Sequence, residues 1–141
     1  MVVVDTNLLV RFAVNDDPKQ VAQARRAIGA QDIWIGVTVL LELEWVLRSR
    51  YAYERTEVLS FLRQLLTTAN VEVEDEAQVA TALDWYADGA DFADALHLAR
   101  SQSRGIMLTF DTAFCKPAQR VAGNIKVLRS AAKLSAGNDD G

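Results

Sequence analysis

The chain has few of the residues that build soft-metal and disulfide sites. It carries one cysteine, Cys115, and one histidine, His97, in 141 residues. A single cysteine excludes an internal disulfide and a cysteine-based zinc site, and a single histidine excludes a His-rich one. Any bound metal would need oxygen ligands, which favours Mg²⁺, Mn²⁺ or Ca²⁺ over zinc. No apolar run approaches the ~20 residues that span a bilayer. The chain does not open on a basic stretch followed by a long apolar one, so the sequence predicts no secretion signal, no membrane partner and, by default, a cytoplasmic protein. Net positive charge is lacking too. The formal charge is −4, which taken alone argues against a nucleic-acid partner. Between Val71 and Ala99 there are eight carboxylates and no lysine or arginine. Such a segment suits a metal site and a solvated helix face equally, so charge does not choose between them.

What is present suffices for one domain. Half of the residues are hydrophobic, enough for a sizeable core, and the length fits a single unit. The expected division is a domain over 1–130 and a small, polar, fraying tail over 131–141. Strands are expected at Met1–Val4, Asp32–Gly36, Val71–Val73, Ile106–Thr109 and Ile125–Leu128. Helices are expected over Asn7–Val14, from Pro18 to about Gly29, from a Thr38 cap to about Tyr51, and over Glu54–Thr68, Asp75–Ala87 and Asp91–Ser103. Strands alternating with helices predict an α/β fold with a mostly parallel central sheet flanked by helices.

Ligands of open parallel sheets bind beyond the carboxyl ends of the strands. Asp5 follows the Val2-Val3-Val4 strand directly, and Asp111 follows the Ile106–Thr109 strand after one intervening residue. If both strands are parallel and central, the two carboxylates emerge at one edge of the sheet. Each also has a purely structural reading, Asp5 as the cap of the helix at Asn7 and Asp111 as the cap of a short turn through Phe114. On the third helix, steps of about 100° per residue place Glu42 between Trp45 and Val46, with apolar side chains on both sides. Glu44 instead borders Arg48 at the spacing of a surface ion pair. Glu44 thus has a structural explanation, whereas Glu42 needs a partner, because burying an unpaired carboxylate is expensive. Asp91 and Asp94 stand three apart at a helix start, which is also the pattern of a capping box. Several carboxylates converging in one cleft repel one another, and a divalent cation resolves the conflict. Two such ions about 4 Å apart would suit phosphodiester hydrolysis.

Four blocks carry a resemblance: Val3-Val4-Asp5-Thr6-Asn7-Leu8-Leu9, Leu41-Glu42-Leu43-Glu44-Trp45-Val46-Leu47, Ala90-Asp91-Phe92-Ala93-Asp94-Ala95-Leu96 and Leu108-Thr109-Phe110-Asp111. In this order and at these spacings they resemble the successive blocks of a PIN domain, and most closely the VapC-type toxins of bacterial toxin–antitoxin pairs. The opening hydrophobic-Asp-Thr-Asn block is fairly specific, and the others gain weight together. The resemblance implies a Mg²⁺- or Mn²⁺-dependent endoribonuclease acting on single-stranded RNA or tRNA. It places the acidic quartet on Asp5, Glu42, Asp94 and Asp111, with Asp91 as an additional metal-binding candidate. Asn7 and Thr109 match small polar residues that orient the first acid or line the site. It further implies a homodimer and a cognate antitoxin that wraps the helices and plugs the site.

Other residues have plainer readings. Arg11 and its neighbours could steer RNA or simply solubilise the surface. His97, one turn after Asp94, could touch substrate, though a lone helical histidine is more often packing or surface. Trp34, Trp45 and Trp85 could stack on bases, but Trp45 lies on so apolar a helix that core or interface is the simpler expectation. Cys115 reads as a small buried group. An Asp-based phosphatase is disfavoured because Asn7 stands where such enzymes usually carry a second aspartate. A phospho-receiver wants a lysine after a late strand, and none follows Leu108. No Gly-rich phosphate loop follows the first strand. A catalytically silent PIN-like module that binds protein or RNA is the rival from another class. The intact quartet argues against it.

Overall fold

The computed structural model describes residues 1–102 together with the strands at 106–108 and 126–128. Its elements run β1 (Val2–Val3), α1 (Thr6–Val14), α2 (Pro18–Ile28), β2 (Ile33–Ile35), α3 (Val37–Arg50), α4 (Arg55–Thr67), β3 (Val71–Val73), α5 (Glu76–Ala87), α6 (Phe92–Ser101), β4 (Ile106–Leu108) and β5 (Lys126–Leu128). The architecture is α/β with parallel pairing throughout, as the alternation of elements predicts.

Local chemistry sets most boundaries. Asn15 takes a left-handed φ of 52° after α1, a conformation asparagine tolerates better than most residues. Asp17 then caps α2 by accepting the Gln20 N–H at 3.2 Å, with Pro18 in the first turn where its missing N–H costs nothing. Glu54 and Glu57 form a reciprocal capping box at the start of α4. The start of α3 departs from expectation. Gly36, not Thr38, is its N-cap, no side chain caps it, and Thr38 is exposed one residue inside the helix. A Cβ on Gly36 would lie 3.3 Å from the Trp34 ring, so glycine lets the chain turn tightly beneath that indole. The β-branched opening of α3 is tolerated because Val37 and Leu40 are buried there.

The first sheet has the order β1-β2-β3, with Val2 opposite Ile33 and Ile33 opposite Val71. β2 is therefore its central strand and β1 an outer one. β4, the strand leading to Asp111, pairs with β5 in a second sheet. The condition that would bring Asp5 and Asp111 to one sheet edge, β1 and β4 both central, is not met among the described strands, which form two groups. The core gathers the inner faces of α3, α4, α5 and α6 around Ile35, Leu43, Leu47, Val58 and Leu83. Tyr86 and Phe92 join it edge to face, with ring centroids 5.6 Å apart. α6 packs mainly along α5 and touches β4 less. Among the described residues no helix is long and apolar enough to cross a membrane.

Candidate active site

Asp5 leaves the carboxyl end of β1 and is exposed. Its Oδ1 accepts the Leu8 N–H at 3.0 Å, so it does cap α1. The cap uses one carboxylate oxygen, and no hydrogen bond or ion pair to Oδ2 occurs among the described residues. Asn7 follows on the first turn of α1, also exposed.

α3 packs against α1 and presents Glu42 towards it. Here the placement of the two glutamates differs from the sequence reading. Glu42 is exposed, not buried on an apolar face, and makes no hydrogen bond or ion pair among the described residues. Glu44 is the half-buried one. It does meet Arg48 at 3.5 Å, as the i,i+4 spacing predicts, but it also accepts the Tyr86 hydroxyl at 3.0 Å from α5. Of the two apolar flanks of Glu42, Val46 is buried and Trp45 is open, 57% exposed. Of the core and interface readings of Trp45, its exposure removes the first, and Trp85, named as a possible base-stacking residue, is buried.

A cleft of about 420 Å³ separates α1 and α3, lined by Asn7, Val10, Arg11, Glu42, Trp45, Val46, Arg50 and Tyr51. Asn7 and Glu42 are thus brought together, and two arginines join them. Arg11 donates to Asp16 at 2.7 Å and to the Tyr51 hydroxyl at 2.8 Å. Tyr51 and Asp16 both hold its guanidinium charged, raising its pKa against a smaller desolvation cost. The hollow of about 500 Å³ between α1, α2, α4 and the sheet is of another kind: its lining is largely apolar and contains no carboxylate.

Asp91 caps α6, its Oδ2 accepting the Asp94 N–H at 3.1 Å. Asp94 is half-buried in the first turn of α6, a helix that also touches α3. The turn before it is held from α4, where Arg55 Nη2 donates to the carbonyls of Tyr86 at 2.7 Å and Ala90 at 2.6 Å. The guanidinium also lies 3.9 Å from the centroid of the Tyr86 ring. His97 is exposed further along α6. Thr109, Asp111, Cys115 and the tail over 131–141 lie outside the described residues. Among the described residues no three acid, histidine or cysteine side chains stand close enough to form a metal-binding group.

The sequence reading missed the Arg11–Tyr51 contact, the Tyr86–Glu44 bond and the Arg55 clamp. Each joins residues 31 or more positions apart, beyond the reach of local spacing. Two arginines and two tyrosines make these contacts, and nothing in their local spacing announces them. Comparison with curated proteins and with solved structures gives no match. PIN domains are in general metal-dependent nucleases. A family model described as the PIN domain matches residues 2–119, most of the chain and all four of its acidic blocks, so the chain belongs to the PIN domain family.

Proposed function

We propose that this PIN domain is a Mg²⁺- or Mn²⁺-dependent endoribonuclease of the VapC toxin type, acting as a homodimer and silenced by a cognate antitoxin. The observation that carries the reading is the α1–α3 cleft, where Glu42, with no hydrogen bond or ion pair among the described residues, stands beside Asn7 and two arginines. A carboxylate kept unpaired next to phosphate-binding groups makes sense when a cation completes it. The donor chemistry fits such an ion. The acids Asp5, Glu42, Asp94 and Asp111 offer only oxygen, and Asp5 keeps one oxygen beyond its cap. Asp5 and Asp94 would be its central ligands, Glu42 and Asp111 would bind directly or through water, and Asp91 would assist from the cap of α6. When bound, a divalent cation supplies the positive charge that a pentavalent phosphate needs and makes water a better nucleophile.

The chain's own groups do the rest. Asn7 lines the cleft beside Glu42, and Asn7 and Thr109 would orient the first acid or line the site, as the resemblance implies. The arginines meet the strand's phosphates. Asp91 fixes the first turn of α6 and with it the backbone of Asp94.

The test is cleavage of total RNA by the purified, partner-free chain with Mg²⁺ or Mn²⁺ against EDTA, beside Asp94→Asn. Loss of a central metal ligand should reduce cleavage at least about a hundredfold, the scale of removing one electrostatic contributor to such a transition state. Equal traces from parent and variant would sink the nuclease reading and leave a binding module.

A further inference from the structure

Trp45 is the feature that the nuclease reading does not absorb. It is the largest side chain among the exposed hydrophobic residues, 57% accessible on a helix whose other large apolar residues are buried or half-buried. A single exposed apolar residue needs no explanation on its own, but this indole lines the α1–α3 cleft. Arg50, one helical turn further on, lays its guanidinium 5.8 Å from the centroid of the Trp45 ring. Among the described residues no carboxylate lies within ion-pair distance of Arg50. Its charge is therefore free of the compensation that Asp16 gives Arg11.

We propose that the α1–α3 cleft is a nucleotide subsite for single-stranded RNA, in which one base stacks on Trp45 and Arg50 meets the adjoining phosphate. An indole offers any base a π-face, and stacking of this kind tolerates every sequence. A duplex keeps its bases stacked inside and has none to offer, so the subsite selects unpaired strands. The lining matches a nucleotide beyond the stack. The Tyr51 hydroxyl and the Asn7 amide stand ready for polar contacts, and Arg50 keeps a cationic group in the cleft while Asp16 offsets Arg11. Because Glu42 lines the same cleft, a base on Trp45 would set which phosphate of the strand lies next to the acids. Trp45 is thus a positioning residue for cleavage, and this rests on the nuclease reading for the class of ligand.

The experiment is fluorescence anisotropy of a labelled single-stranded RNA oligonucleotide in EDTA, where metal-dependent cleavage is stopped. The parent is compared with Trp45→Ala, Trp45→Phe and Arg50→Gln, and the mass of each protein is measured by light scattering. Trp45→Ala should weaken binding at least about fivefold, the low end of one base–aromatic stack, with Trp45→Phe keeping most of it. Arg50→Gln should lower the slope of log affinity against log salt by about 0.7, the loss of one phosphate contact on a single strand. Duplex RNA should not tell the proteins apart. Equal binding by parent and Trp45→Ala overturns the proposal, as does a parent that fails to bind up to about 100 µM, the weak end of non-specific affinity. A dimer that becomes a monomer only in Trp45→Ala overturns it as well, and assigns the indole to contact with a second copy. Metal-dependent cleavage of the same oligonucleotide by the parent is scored alongside. Cleavage with an indifferent Trp45→Ala removes the subsite and keeps the nuclease. Binding lost in Trp45→Ala without any cleavage keeps the subsite and removes the nuclease.

Discussion

Tyr86 shows how much one buried hydroxyl can carry. It is 1% exposed, donates to Glu44 at 3.0 Å, and has Arg55 against its ring. Burial is the main reason its phenol is pushed up to about 12, and the charge and hydrogen bond of Glu44 add to it, while Arg55 and Arg48 pull the other way. The folded value lies above the unfolded value of about 10. The folded chain therefore holds the proton more tightly, and the stabilisation is complete below pH 10 and lost as pH rises through about 12. Urea unfolding should accordingly show a midpoint that falls between those pH values. In Tyr86→Phe that part of the fall should disappear, at a cost near neutral pH of roughly 1–2 kcal/mol for the bond withdrawn from a half-buried carboxylate. Parallel pH profiles for the two proteins would show that the phenol does not titrate against folding.

At the scale of elements, the first turn of α6 depends on a clamp that no local pattern announces. Arg55 at the start of α4 donates to two carbonyls at the α5–α6 junction, Tyr86 and Ala90, immediately before Asp91. Lysine in its place keeps the charge but not the planar guanidinium, which lies against the Tyr86 ring while its Nη2 donates to both acceptors. Arg55→Lys should cost about 1–2 kcal/mol and speed amide exchange at Asp91–Ala95 more than at α2, where an unaltered exchange pattern would refute the clamp. This contrast also marks what was legible beforehand. The sequence announced α2 through Pro18 and Gly29, and α6 through Asp91, because caps and stops are chemistry within four residues. It announced the parallel pairing through the alternation of strands and helices. The orientation of α3 was not legible, since apolar residues surround that helix on several sides and no single stripe points inward. Whether Glu42 or Glu44 faces the interior is decided by Tyr86, 42 residues away. The grouping of β4 with β5 was equally hidden, because strand order depends on packing and not on the pattern of any one strand.

For the whole molecule, the acidic residues pose a single question that stability can answer without any RNA. Asp5 and Asp91 each cap a helix, so part of the acidic pattern already has a structural use. If capping were their entire role, the folded chain would gain nothing from a divalent ion. If Asp5, Glu42, Asp94 and Asp111 hold one, the ion binds the native state alone and stabilises it by about 2.7 kcal/mol at a hundred times its dissociation constant. For a chain of 141 residues that amounts to several degrees in Tm, at roughly 2–4 °C per kcal/mol. Mg²⁺ or Mn²⁺ should therefore raise the Tm of the parent, while Asp94→Asn and Glu42→Gln should respond much less. Asp91→Asn separates the two uses, because asparagine caps as well as aspartate. Its Tm without metal should match the parent, so that any loss of the metal response measures what Asp91 gives to the ion. A parent whose Tm ignores both ions, with intact folding, would reduce the acids to caps and surface charge and leave the α1–α3 cleft as a binding surface.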